Sequence, residues 1–296
     1  VKQRTIQRRL RLEGIGLESG KKSVVILHPE RENYGIRFYV DDYTIPAHFD
    51  YVVSTTPSVT LGVNDIRVHT VEHLLSILNG LGITNLTIEV LGDEIPENTK
   101  EFAHKISREA VDQKALSCQY HFSSTLFESD RTVIRTFPSY RFTVSCFYSP
   151  DFVAAKENFY TIDVRPENYL KQISWAKTFC TESYLNDLQV AGMAMGAMPS
   201  NCRLVGDGYA EEDRELVRHK ILDFIGDISL AGMSSVGHFV LTNPSHEKTI
   251  DYLKSVFRRR HEQIPSTFED YGHIQSSNGA FSYSREASES SGFCEI

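Results

Sequence analysis

The stretch Leu216-Val217-Arg218-His219-Lys220-Ile221-Leu222-Asp223-Phe224-Ile225-Gly226-Asp227 decides how this chain is read. Its apolar residues Val217, Ile221, Leu222, Phe224 and Ile225, with Ile228 beyond, recur three and four apart, which predicts a helix with one buried face. On that helix His219, Asp223 and Asp227 fall at i, i+4 and i+8 and stack along one stripe. An imidazole and a carboxylate one turn apart can grip a divalent metal, and a second carboxylate a turn further on can hold a neighbouring His or a water. A catalytic zinc needs three protein ligands and an open position, so another ligand has to come from elsewhere in the chain.

Far upstream, His69-Thr70-Val71-Glu72-His73-Leu74-Leu75 sets an acid beside a His. It stands at the start of a second helix-like run, Val71 to Leu78, which stops at Asn79-Gly80. A Glu next to a metal-ligating His is well placed to take a proton from water on the metal. The two stretches together predict a zinc hydrolase whose site is shared by two separated helices. His69, Glu72 and His73 also spell H-x-x-E-H, the inverted zinc-protease signature, and a peptidase is the alternative from a different substrate class.

The bulk of the chain bounds these readings. Its 296 residues, 41% hydrophobic, suffice for one large domain or two ordinary ones. A net charge of −8 argues against nucleic acid as a partner, because phosphate binding needs a basic face. Cys118, Cys146, Cys180, Cys202 and Cys294 are odd in number and form no C-x-x-C pair, which fits a reducing compartment and gives no thiolate zinc cluster. No apolar run approaches eighteen residues and Val1-Lys2-Gln3-Arg4-Thr5 lacks a signal-peptide core, so a soluble cytoplasmic protein is expected.

Working outward, Ile6 to Leu12 alternates in strand fashion, and Glu13 to Gly20 supplies a Gly-rich turn before a strand at Ser23 to Leu27. Further strands are predicted at Gly35 to Val40, Ser58 to Gly62 and Leu86 to Val90. The second half repeats this content, with strands at Val133 to Phe137 and Arg141 to Phe147, its own His-bearing helix, and a strand at Gly237 to Leu241. The expected fold is therefore α+β, with two similar domains from an internal duplication, each a β-sheet packed on helices, and the site at their interface. The expected boundaries are 1–117, 118–264 and a Ser/Gly-rich tail at 265–296. That tail is too poor in apolar residues to offset the entropy of ordering itself, and its aromatics leave docking on a partner open.

Taken together these segments resemble the zinc-dependent UDP-3-O-acyl-N-acetylglucosamine deacetylases of lipid A biosynthesis. The resemblance rests on Gln3-Arg4-Thr5-Ile6, Gly14-Ile15-Gly16-Leu17 with Ser19-Gly20, Thr70 to Leu75, Gly80 to Ile83 with Asn85, and Glu94-Ile95-Pro96. Ala176-Lys177-Thr178-Phe179 and Val217 to Asp227 complete it, in the family's order. It implies that His73, His219 and Asp223 hold Zn2+, with Glu72 as the base for the attacking water. Thr178 would donate to the oxyanion, and His246, held by Asp227, would stabilise that oxyanion and protonate the leaving amine. Lys220 and Phe179 would serve the UDP-sugar. Met193, Met195 and Met198 would help line a passage for the acyl chain, where flexible thioethers suit an alkyl guest. The implied substrate is an acylated UDP-amino sugar.

The chain departs from the family's pattern at three places. Glu18 replaces the His of Gly-Leu-His-Ser-Gly, Glu97-Asn98-Thr99-Lys100-Glu101 replaces an Asp-Gly-Ser-Ala turn, and Asn243-Pro244-Ser245 carries no Gly before His246. These changes leave the ligands and Glu72 in place but bear on the loops around the metal. They keep open a relative acting on another N-acetylated nucleotide sugar and a zinc-holding scaffold without activity. The run Arg258-Arg259-Arg260-His261 reads as a solvated helix end, with transient contact to anionic headgroups at a membrane surface as its other reading.

Overall fold

Alternation of apolar and polar residues near the N-terminus builds two strands rather than one. In the computed structural model, which describes residues 1–150, 158–206 and 214–263 and side chains as far as 257, β1 (Lys2–Ile6) pairs with a strand a hundred residues away. The chain then bends at Gln7, whose N–H bonds Glu109 O, and enters a different sheet as β2 (Leu10–Ile15). This corrects the single strand expected over Ile6 to Leu12: Gln7, Arg8 and Arg9 are exposed and fall between the two ladders, the first ending at Ile6 and the second beginning at Leu10.

The first half continues with β3 (Lys22–Pro29), β4 (Ile36–Val40), β5 (Tyr43–Pro46), and a small sheet of β6 (Val52–Ser54), β7 (Thr60–Val63) and β8 (Ile66–Val68). Helix α1 (Glu72–Gly80) follows, then β9 (Leu86–Leu91), α2 (Thr99–Glu109) and β10 (Ala110–Leu116), the partner of β1. The main sheet here has the order β2-β3-β9-β4-β5, with β9 antiparallel to β3 and parallel to β4. The strand expected over Ser58 to Gly62 begins two residues later, at Thr60.

The second half opens with β11 (Gln119–His121), β12 (Thr125–Ser129), β13 (Thr132–Phe137), β14 (Phe142–Phe147) and β15 (Phe159–Asp163). It continues with α3 (Pro166–Gln172), β16 (Thr178–Thr181), α4 (Glu182–Val190), β17 (Cys202–Val205), α5 (Glu215–Ile228), β18 (Ser234–Thr242) and α6 (His246–Gln263). Its main sheet has the order β12-β13-β18-β14-β15, and β18 is antiparallel to β13 and parallel to β14. β16 and β17 form a separate parallel pair. The fold is α+β, as expected, and residues 1–254 form one compact unit. The expected tail at 265–296 lies outside the described residues. Among the described residues no helix is long and apolar enough to cross a membrane.

The site depends on α1 and α5, which pack against each other with almost every side chain buried. Leu74, Leu75, Ile77 and Leu78 on α1, and Val217, Ile221, Leu222 and Ile225 on α5, are at most 1% exposed. Each contributes about 1.5–3 kcal/mol by leaving water. Polar ties fix the register of this packing: Ser76 Oγ donates to Leu222 O at 2.7 Å, and Asn79 Nδ2 donates to Ile225 O at 2.9 Å. The backbones meet most closely at Gly226, where an added Cβ would lie 2.1 Å from Glu72 O. Gly226→Ala must therefore push apart the two helices that carry the functional groups. It is expected to destabilise the fold by about 3 kcal/mol or more, read as a lowered midpoint in thermal or urea unfolding; an unchanged midpoint would mean that the helices slide freely there.

Candidate metal centre and catalytic cleft

The helical stripe on α5 forms as its spacing predicts. His219 Nε2 lies 3.3 Å from Asp223 Oδ1, and α1 brings His73 Nε2 to within 3.5 Å of the same oxygen. The ligand atoms of His73, His219 and Asp223 all lie within 4.8 Å of one another, and all three residues are buried. Asp223 Oδ1 is buried with no hydrogen-bond partner among the described residues, an unfavourable state for a carboxylate oxygen unless a cation completes it. The other ring nitrogens are already occupied. His73 Nδ1 meets Glu97 Oε2 at 2.6 Å and His219 Nδ1 meets Ala176 O at 3.3 Å, so both Nε2 atoms are turned to the shared centre. Two imidazoles and one carboxylate are a donor set that fits zinc; against burial, Glu97 and Asp223 raise the His73 pKa well above its ordinary value, so binding a metal there displaces a proton.

Electrostatics around the centre follow from burial and neighbours. Burial lowers the His219 pKa to about 4 against the pull of Asp223, keeping that ring in the neutral form a metal needs. Asp223 is held well below the usual carboxylate range: burial opposes ionisation, but His219 and Lys220 outweigh it. Lys220 Nζ lies 2.8 Å from Asp223 Oδ2, with the rings of Tyr148 and Phe179 at 5.8 and 5.7 Å. Phe179 in turn packs edge-on against His219.

Glu72 opens α1 and faces the same cleft. One carboxylate oxygen accepts from Val59 N–H at 3.0 Å and the other lies 3.6 Å from His246 Nε2. Burial raises its pKa to about 7, although His246 and His73 oppose the shift. Two residues before Glu72, Thr70 sits in the left-handed region at φ 58°, a conformation unfavourable for a β-branched side chain, at the turn into α1. His246 starts α6, and its Nδ1 lies 2.8 Å from Asp227 Oδ2. Burial works against its positive charge, but Asp227 and Glu72 prevail and lift its pKa to about 9. The Gly missing before His246 is replaced in function by Asn243, which takes φ 44°, while Ser245 Oγ accepts from Lys248 N–H and caps the helix.

A cavity of about 640 Å³ joins these groups, lined by Glu72, His73, Thr178, Phe179, His219, Lys220, Asp223 and His246. Its apolar side comes from Leu17, Leu185, Leu188, Ala194 and Ala197. Met193, Met195 and Met198 do not line it; they are 37%, 51% and 42% exposed. The reason is the way their segment is clamped: Met195 N–H bonds Glu18 O at 2.9 Å and Gly196 N–H bonds Leu17 O at 3.0 Å, which turns the alanines inward. Glu94 supports the opposite loop by accepting from Glu18 N–H and Ser19 N–H at 2.7 and 3.0 Å. Gly16 is required there, because a Cβ would meet Glu94 Oε2 at 2.1 Å. His69 stands apart from the centre, its Nδ1 bonded to Thr60 Oγ1 at 3.0 Å.

A profile described as UDP-3-O-acyl N-acetylglycosamine deacetylase matches residues 3–258. The chain belongs to that family. It is 31% identical to the UDP-3-O-acyl-N-acetylglucosamine deacetylase of Aquifex aeolicus, over 87% of this chain and 94% of that one. The protein of the same description from Teredinibacter turnerae is 32% identical, over 91% and 95% of the two chains. The Myxococcus xanthus protein, again so described, is 32% identical over 82% of each.

Glu97, which in the sequence is legible only as part of an altered loop, fixes the ring of His73. Its carboxylate, also accepting from Thr99 Oγ1 at 2.8 Å, is ionised below the usual range: burial resists this, but the His73 charge and hydrogen bond win. A signal was present, since an acid was needed somewhere to fix the second nitrogen of a ligating His. Glu97→Ala is expected to weaken metal binding roughly 10–100-fold, measured by competition with a chromophoric chelator. Wild-type affinity would show that His73 is oriented without it.

Proposed function

We propose that this chain removes the N-acetyl group of UDP-3-O-acyl-N-acetylglucosamine, releasing acetate and the free amine for lipid A biosynthesis. The observation that carries the proposal is the orphaned Asp223 oxygen between two oriented imidazoles, with Glu72 and the His246–Asp227 pair facing the same cavity in a chain of this family. His73, His219 and Asp223 would hold zinc, which would supply Lewis acidity toward the acetyl carbonyl and the attacking water.

The chain's own groups do the rest. Glu72, whose proton affinity is tuned to neutrality by burial, takes the proton of the attacking water. Thr178 donates to the acetyl oxygen as negative charge grows there, and the His246 imidazolium adds a second positive partner before passing its Nε2 proton to the leaving nitrogen. Asp227 fixes the His246 ring and its charge. Lys220 and Phe179 receive the nucleotide sugar by charge and by packing. The alkyl chain lies along Leu185, Leu188, Ala194 and Ala197, with the methionines as the outer rim of that passage. The matching strand orders of the two main sheets, each with its helix ahead of the strand that pairs both ways, support an internal duplication with its join near residue 117.

The test is acetate release from UDP-3-O-acyl-N-acetylglucosamine and from its unacylated parent. Turnover is expected to favour the acylated compound strongly and to stop on chelation. No acetate from either would sink the proposal, and equal rates would remove the alkyl passage from it.

A further inference from the structure

The strands β16 and β17 hold a pair of thiols that the reaction does not use. Cys180 Sγ and Cys202 Sγ lie 3.5 Å apart, both unoxidised, and both residues line the substrate cavity. Cys202 is 4% exposed, whereas Cys180 is half-buried and open to a reagent entering the cavity. In the parallel ladder Cys202 sits opposite Thr178, two residues before Cys180 on the facing strand. Between the two cysteines the chain makes an excursion through α4 and the Gly192-to-Met198 segment, which gives Leu185, Leu188, Ala194 and Ala197 to the apolar side of the cavity, so the pair stands at the base of that excursion.

We propose that Cys180 and Cys202 form a thiol–disulfide exchange site in the wall of the substrate cavity, with a small-molecule disulfide as the co-reactant. The Cys180 thiolate attacks one sulfur of the disulfide RSSR, forming a Cys180–SR bond and releasing RS⁻, which takes up the proton that Cys180 gave up. Cys202 then loses its proton, and its sulfur attacks Cys180 Sγ, expelling the second R group as RS⁻, which becomes RSH. The balance is two thiols and one disulfide in, one cystine and two RSH out. The sulfurs need to approach by only about 1.5 Å to reach an S–S bond of about 2.05 Å. Hydrogen bonding from Cys202 favours the Cys180 thiolate, while burial pushes the enclosed Cys146 thiol upward, so the pair reacts ahead of Cys146. The adduct on Cys180 fills the cavity, and the cystine ties the strand bearing Thr178 to β17 and closes the alkyl passage at its base.

The full chain, first reduced, is treated with excess glutathione disulfide at neutral pH and examined by peptide mapping and intact mass. A Cys180–Cys202 cystine, with the loss of two hydrogens, is expected. In Cys202→Ser a glutathione adduct should remain on Cys180, because the resolving thiol is gone. Free alkylation of Cys180 and Cys202 after treatment would overturn the proposal, as would an adduct that persists on Cys180 in the unsubstituted chain. The activity arm rests on the deacetylase reading and is scored separately, each protein against its own reduced form. Oxidised chain should lose most of its turnover and regain it with dithiothreitol, and a cystine that leaves turnover intact would overturn the closing of the passage. Inactivity of the reduced chain would instead count against the deacetylase reading, with the mass result unaffected.

Discussion

Glu72→Gln leaves the metal bound and lowers kcat by roughly 10²–10⁴-fold, the range expected for loss of a positioned general base. The substitution isolates one property. Gln keeps the length and volume of Glu, and its carbonyl oxygen can still accept from Val59 N–H, where Glu72 accepts at 3.0 Å. Close packing of the Glu72 backbone against Gly226 is untouched. What disappears is a carboxylate with a pKa of about 7, raised by burial against the influence of His246 and His73. At neutral pH such a group is ionised in a large fraction of molecules and still basic enough to hold the proton it receives. An amide can do neither. Metal content by atomic emission should stay at one per chain, because Glu72 is not among the three clustered ligands. Wild-type turnover in this variant would place the base elsewhere, and loss of metal would make Glu72 a structural support of His73.

Much of this cleft could be read before any coordinates, for a physical reason. His219, Asp223 and Asp227 share one helix, whose periodicity fixes their relative placement within a turn. The start of α1 was equally legible, since the apolar run from Val71 and the stop at Asn79-Gly80 are local signals. The convergence of α1 with α5 was not a local matter. It depends on Ser76 and Asn79 finding partners 146 residues away and on Gly226 meeting Glu72; the chemistry of the two stretches pointed to a shared site, but only the family resemblance assigned His73 as the third ligand. Glu97 escaped because its partnership with His73 is made from a segment, Glu97 to Glu101, whose residues depart from the family's pattern and whose course local signals do not fix. The methionines were assigned to the passage by the family resemblance, with which their chemistry agrees, yet backbone bonds from Met195 and Gly196 to the Leu17–Glu18 turn decide which side chains face inward. The break between β1 and β2 was hidden for a related reason: alternation shows which faces are apolar, not which sheet a strand joins.

His246→Ala is expected to lower kcat by a factor comparable to Glu72→Gln, since it removes both a charge beside the developing oxyanion and the proton for the leaving amine. The sharper form of the prediction concerns pH. His246 has a folded-state pKa of about 9, above its ordinary value of 6.5, because Asp227 and Glu72 stabilise the imidazolium more than burial disfavours it. The acid is therefore charged and competent at pH 7, and activity that depends on it falls as pH rises through about 9. Asp227→Asn keeps the shape of the partner and removes its charge. With the main raising influence gone and burial remaining, the His246 pKa must drop, so the alkaline limb of kcat moves toward neutrality, while the acidic limb, set by Glu72, whose pKa burial raises more than Asp227 does, moves less. The two Asp227 oxygens lie 2.8 and 3.0 Å from Nδ1, close enough that the asparagine can still orient the ring and leave part of the rate near pH 6. A profile that scales down evenly at every pH would show that Asp227 only holds the ring in place. An alkaline limb that survives unchanged in His246→Ala would assign the acid to another group.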